Sequence, residues 1–241
     1  MKSIDSTEIL IADRFPLLEE LDLSYGYPFY KHRTKFPSIV VETISLQLFK
    51  LRKVNLSFYD YINDKLLFHL FKNCKLLEEA NFSRCRQLTN AGIASALLER
   101  PTLKSLSFHI LQDWAMLSAF TRNCPSLSEI RVQHGPRVNN VENINSFVFL
   151  TLEVLNLTNT SVDDNTLHVI SKCCCGLLQL ILANCRNVTE RGVKHVVENC
   201  TQLKVINLNH CFKVDAEVAA LILHSRPSLI KIIAPPRNMH K

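Results

Sequence analysis

The chain has 241 residues, of which 47% are hydrophobic and 21% charged, a balance with ample material for a core in one large domain or two small ones. Its 28 Lys and Arg against 22 Asp and Glu leave a net charge of +6 with no basic block, which speaks against a nucleic-acid partner. With five glycines and neither G-x-G-x-x-G nor G-x-x-x-x-G-K, a phosphate-cradling loop is not expected.

Taken in chain order, the opening MKSIDSTEILIADRF interrupts every apolar run with acid, so neither a signal peptide nor a membrane anchor is expected there. From Phe15 a string begins to recur. FPLLEELDLS, LFKLRKVNLSFY, CKLLEEANFSRC, RPTLKSLSF, CPSLSEIRV, FLTLEVLNLTNT, CGLLQLILANC, CTQLKVINLNHC and RPSLIKIIA follow one another. All share a leucine, an aliphatic residue or alanine three positions on, and an apolar residue two further on. The first leucines are Leu18, Leu51, Leu77, Leu103, Leu127, Leu152, Leu177, Leu203 and Leu229, and the steps between them are 33, 26, 26, 24, 25, 25, 26 and 26. The longest apolar run, VAALIL from Val218, is far short of the roughly 20 residues that span a bilayer, so no membrane partner is expected.

Each period reads as one strand and one helix. KVINLN alternates, with Ile206 and Leu208 inward. Turns follow in RQLTN, RNVTE, TSVDD and FKVDA. TERGVKHVVENC then places Val193, Val196 and Val197 at helical spacing. Thr189 stands at the helix cap, but Gly192 rather than an acid lies three residues on, so no capping box is complete. The period falls in the leucine-rich-repeat range of roughly 20–29 residues. The expected fold is therefore an α/β leucine-rich-repeat solenoid, a right-handed β-α superhelix or horseshoe of about nine repeats. The expected boundaries are an N-terminal segment over 1–14, the repeats over 15–235 as a single domain, and a tail over 236–241.

Seven of the nine cysteines occupy two fixed repeat positions. Cys74, Cys124, Cys174 and Cys200 stand three before a first leucine; Cys85, Cys185 and Cys211 stand three after the last core residue. A free cysteine packs as a small hydrophobe, whereas a metal wants Cys-x-x-Cys or close Cys/His pairs. The run Cys173-Cys174-Cys175 is contiguous and chelates poorly. The cysteines are expected to be structural and all nine thiols free, with no metal and no cofactor. Their odd number, without a secretory signal, points to a reducing compartment, cytoplasm or nucleus.

The pattern C-x2-L-x2-L-x-L-x2-C, followed by an aliphatic residue, Thr or Asp and a helix, resembles the cysteine-containing repeats of F-box/LRR proteins. LEELDLS, LRKVNLS and NAGIASALLERPTLKSLSF look particularly like plant members, and the resemblance covers roughly residues 15–235. In that family an F-box docks on an Skp1-type adaptor of a cullin-based ubiquitin ligase, and the repeats hold the protein to be ubiquitinated. The resemblance implies a non-catalytic substrate-recognition module of an SCF-type ligase, acting in ubiquitin-dependent protein catabolism. These residues contain no F-box, so an Skp1-type adaptor is expected as a partner only where the full product carries one. The alternative is a stand-alone interaction scaffold with no ubiquitin connection.

Residues flanking the inward strand positions point to the concave surface. In the first five repeats these are charged or polar, from Glu20, Asp22, Lys53, Asn55 and Glu79 through Ser107 to Arg131. From Val154 the surface turns apolar, with Val154, Ile181 and Val205 rimmed by Asn156, Gln179, Asn207 and Asn209. An apolar centre with a polar rim is the expected seat of a protein partner, although valines also simply suit strands. The long first step holds YGYPFYKHRTKFP, in which Tyr27, Phe29 and Tyr30 beside basic residues make either a second binding rim or an insertion folded back on the repeats. Arg84, Arg86, Arg186 and Lys213 follow their strands as solvated charges; some plant relatives bind an inositol phosphate with such clusters. Glu19-Glu20 and Glu78-Glu79 face opposite ways and cannot act as an acid/base couple. No Ser-His-Asp or Cys-His arrangement is suggested, so no catalysis is expected.

Overall fold

Alternation of inward and outward residues lasts for only a few positions in each repeat, which sets strands of three to six residues. A computed structural model describes residues 14–24, 44–111, 114, 116–134, 151–215, 218–226 and 228–235. The chain divides into two compact units, residues 1–109 with 122–127, and residues 110–121 with 128–241. In the first lie β1 (Glu20–Asp22), β2 (Lys53–Asn55), α1 (Asp64–Asn73), β3 (Glu79–Phe82), α2 (Asn90–Leu98) and all but the last residue of β4 (Ser105–Ile110). Helix α3 (Met116–Asn123) contributes to both units. The second unit holds β5 (Glu129–His134), β6 (Val154–Asn156), α4 (Asp164–Cys173), β7 (Gln179–Ile181), α5 (Glu190–Asn199), β8 (Val205–Asn207), α6 (Val218–Ser225) and β9 (Lys231–Ile233).

Within each unit consecutive strands pair in parallel and in register, because the hydrophobic spacing is the same in every repeat. Leu21, Val54, Ala80 and Leu106 form one ladder of buried residues, and Leu155, Leu180 and Ile206 sit in another with Ile130 and Ile232 at its ends. This is the α/β leucine-rich-repeat solenoid the period predicts.

Two local devices recur at the strand ends. An Asn or Asp in the last outward position accepts the N–H two residues on: Asn55 from Ser57 (3.2 Å), Asn81 from Ser83 (3.0 Å), Asn156 from Thr158 (3.0 Å) and Asn207 from Asn209 (2.9 Å). This short bond competes with the ladder and turns the chain. The next residue is left-handed in Phe58, Arg84, Asn159, Asn184 and His210, with φ between 57° and 73°.

The cysteines are more than small hydrophobes. Cys85, Cys185 and Cys211 donate Sγ–H to the carbonyls of Leu56, Leu157 and Leu182 in the preceding repeat, at 3.1, 3.1 and 3.0 Å. Tyr59 makes the equivalent bond to Leu23 through its hydroxyl (2.6 Å). At the other position Cys200 approaches the Cys174 carbonyl at 3.6 Å, and Arg100 replaces the cysteine, its Nη1 donating to the Cys74 carbonyl at 3.0 Å. All nine thiols are free. Burial pushes Cys74, Cys85, Cys185 and Cys200 up to about 12, so they stay protonated, and Cys85, Cys185 and Cys200 keep donating.

The helices are tied to one another at their starts. Thr189 caps α5, accepting from the Arg191 N–H, while its own N–H and hydroxyl donate to Asp164 of α4 at 2.8 and 2.6 Å. Thr89 of α2 does the same with Asp64 of α1, at 2.9 and 2.7 Å. The acid missing from the local capping box is thus supplied by the preceding helix. Gly192 and Gly92 leave room for those carboxylates.

The faces of α4 and α5 also bring the His168 and His195 rings edge to face, 4.5 Å between centroids. Burial first, then Lys172, His195 and Arg191, hold the His168 imidazole below its ordinary value of 6.5. Below pH ~6.5 the unfolded chain takes up this proton before the folded one does, so the contribution is complete above that pH and is lost as the pH falls through it. Chemical denaturation at about pH 7.5 and 5.5 is expected to show a lower midpoint in acid for the wild type. The same comparison on His168→Gln should show a smaller drop; an identical drop would remove His168 from the account.

Candidate functional site

The outward strand positions form rows that cross the repeats, and the two units differ in what those rows carry. In the first unit Lys53 bridges Glu20 and Glu79 at 3.4 and 3.2 Å. One position earlier Arg52 joins Glu19 (3.5 Å) to Glu78 (2.6 Å), and Lys104 closes on Glu78 at 2.7 Å. Asn55 donates its Nδ2 to Asp22 (3.0 Å). The hydrogen bond from Lys104 and the Arg52 charge hold Glu78 below its ordinary value, and Glu79 beside Lys53 raises the ammonium. These pairs are exposed, so water screens them and each adds little to stability. Their consequence is chemical: the three cations Arg52, Lys53 and Lys104 are each held by carboxylates of neighbouring repeats. Glu19 and Glu20 go to different partners, as alternation requires, and make no carboxylate couple. Ser57 and Ser107, expected on the open surface, are buried; in β4 the run Leu106, Ser107 and Phe108 is buried throughout.

In the second unit register places Glu129, Val154, Gln179, Val205 and Lys231 in one row, and Arg131, Asn156, Ile181, Asn207 and Ile233 in the next. Asn209 lies one outward position further along β8's chain. The residues expected to form the apolar centre are therefore neighbours, but they do not touch as one strip. Gln179 stands between Val154 and Val205, and Ile181 stands between Asn156 and Asn207, giving a chequered face. Val154, Ile181, Val205 and the three asparagines are half-buried, and Gln179 is exposed. Ile233 extends the second row; continuing the row rule through RPSLIKIIA would have found it.

The asparagines differ from the expectation that their amides both donate and accept. An N–H at 2.9–3.0 Å must meet an oxygen, so the Oδ1 atoms of Asn156 and Asn207 are occupied by Thr158 and Asn209. Thr158 adds its hydroxyl to Asn156 Oδ1 at 2.7 Å. Asn156 Oδ1 thus has both acceptor sites filled and Asn207 Oδ1 one of two, while neither Nδ2 has a partner among the described residues. Glu129 is matched by Arg131 on its own strand, at 2.5 and 2.8 Å.

Tyr27, Phe29 and Tyr30 lie outside the described residues. Of the turn-edge cations, Arg84 and Arg86 belong to the first unit and Arg186 and Lys213 to the second; the Arg84 guanidinium lies over the Phe58 ring at 5.5 Å. Among the described residues no group of three or more His, Cys, Asp or Glu is gathered that could hold a metal, and no helix is long and apolar enough to cross a membrane.

In-register parallel strands, one per repeat of about 26 residues, with helices between them, define a leucine-rich-repeat protein. No protein-family model matches the chain. A protein of Arabidopsis thaliana that carries the name F-box/LRR-repeat protein 23 is 21% identical over 163 residues, which is 67% of this chain and 32% of that relative. The chain is similar to the repeat region of that plant F-box/LRR protein and spans about a third of its length. Among solved structures, TLR13 in complex with ssRNA13 matches with a TM-score of 0.50 at 15% identity, over 92% of this chain and 33% of that one. The Rad7 and Elc1 complex of yeast matches with a TM-score of 0.45 at 15% identity, over 94% and 73%. The first of these shows a shared fold.

Proposed function

We propose that the chain is a non-catalytic protein-binding module whose partner seats on the concave face of the second unit, around Ile181. The observation that carries this reading is the contrast between the faces. The cations of the first unit's face, Arg52, Lys53 and Lys104, are held by its carboxylates, whereas the second presents half-buried Val154, Ile181, Val205 and Ile233 beside amides whose Nδ2 atoms have no partner among the described residues. Exposed apolar groups within a polar surround are what an interface desolvates. The repeat pattern and the Arabidopsis relative favour substrate recognition for an SCF-type ubiquitin ligase, in the cytoplasm or nucleus. In that role an Skp1-type adaptor joins through an F-box carried by the full product.

Ile181→Asp places a charge where a partner would have to bury it, which costs several kcal/mol. Its side chain points outward, so the expected result is loss of the proteins that wild type retains, with an unchanged melting curve. Lys104→Glu, on the matched face, should retain them. Retention by Ile181→Asp at wild-type affinity would move the site to the aromatic segment over 25–36. A pull-down of the full-length product with an Skp1-type adaptor separates the ubiquitin role from a stand-alone scaffold.

A further inference from the structure

The chemistry of this face also restricts the class of partner, an inference that rests on the proposed concave site. Asn156 and Asn207 flank Ile181 in one row. Neighbouring strands lie about 4.8 Å apart, so each asparagine stands one strand spacing from the isoleucine. Neither Nδ2 has a partner among the described residues, while each Oδ1 accepts from its own turn. A partner side chain resting on Ile181 must therefore be accompanied on both sides by oxygen acceptors, or the amide donors are desolvated without compensation.

Charge adds a direction. Beside Val205 in the first row stands Lys231, exposed and without an ion-pair partner among the described residues. Glu129 is already matched by Arg131. The row thus ends in a positive charge at β9.

We propose that the second unit binds an acidic peptide segment of a partner protein, with one large apolar side chain seated on Ile181 between Asn156 and Asn207. Backbone carbonyls or carboxylates of that segment accept from Asn156 and Asn207, and an acidic residue lies over Lys231.

The test is selection on the whole chain from a display library of random peptides of about twelve residues. Enrichment of a large apolar residue next to Asp or Glu, with depletion of Lys and Arg, is expected. The Kd of one enriched synthetic peptide is then measured against variants. Asn207→Asp is the sharpest, since the carboxylate still accepts from Asn209 and keeps the turn, yet turns an outward donor into an acceptor. It should weaken binding at least tenfold with unchanged thermal unfolding, and Lys231→Glu should do the same for an acidic peptide. If Ile181→Asp abolishes binding while Asn207→Asp and Lys231→Glu leave it intact, the concave site stands and the acidic-peptide inference falls. If Ile181→Asp also binds normally, both fall. Enrichment of basic peptides, or of none, overturns the inference as well.

Discussion

Gly192→Ala is expected to destabilise the second unit by about 2 kcal/mol, although alanine in a helix ordinarily gains about 1 kcal/mol over glycine. The sign is reversed by a neighbour. A Cβ at this position would lie 2.4 Å from Asp164 Oδ1, 2.9 Å from Leu167 Cδ1 and 3.1 Å from the Asp164 Cα. The carboxylate is held in place by the Thr189 N–H and hydroxyl, so it can yield only by releasing two charge-assisted hydrogen bonds. Urea unfolding of Gly192→Ala, Asp164→Ala and the double variant measures this directly. With Asp164 truncated the methyl meets less, so the effects should fall short of additivity by about 1 kcal/mol. Additive effects would show that the glycine is needed for another reason. Gly92 in the first unit stands in the same relation to Asp64, whose Cγ would be 1.9 Å from an added Cβ.

Arg100→Ala is expected to cost about 2–3 kcal/mol, an effect large for a position that the sequence marks as a departure from the repeat. Arg100 is 5% exposed, and its Nη1 donates to the Cys74 carbonyl while Nε and Nη2 donate to the Glu99 carbonyl at 3.3 and 3.1 Å. Burial lowers the guanidinium's pKa. Alanine would leave the Cys74 carbonyl with only the Leu77 N–H at 3.2 Å, removing a charge-assisted hydrogen bond and the packed stem. Arg100→Cys should recover part of the loss, because a thiol at this position reaches the preceding carbonyl in the Cys200–Cys174 pair. Denaturation midpoints of the two variants decide the point. A cysteine variant no more stable than the alanine one would mean that the packed stem, not the hydrogen bond, accounts for the effect.

The chequered face around Ile181 was only half legible. Alternation identifies Val154, Ile181 and Val205 as outward, because a strand has period two and the inward leucines are unmistakable. Alternation is blind to which outward residues are opposite each other, and the row Val154, Gln179, Val205 emerges only from strand register. It is blind also to the donor character of Asn156 and Asn207, which depends on an oxygen being claimed by an N–H two residues along a turn. The matching of charges in the first unit has the same origin: Lys53 lies between Glu20 and Glu79 in space, at 33 and 26 residues' distance in the chain.

What the sequence by itself determined is the period, the repeat class, the inward leucines and the two cysteine positions, all of which follow from a local pattern repeated often enough to be counted. What only the tertiary structure decided is what each repeat supplies to the next. Thr189 reads as a cap with its acid missing, and Asp164 completes it from 25 residues away. The cysteines read as hydrophobes, and the neighbouring repeat's carbonyls make them donors. Arg100 reads as an exception, and its reach to Cys74 makes it an equivalent. The physical reason is common to all three: a solenoid unit buries its polar backbone groups as well as its apolar face against its neighbours, and those partners stand one period away in the chain.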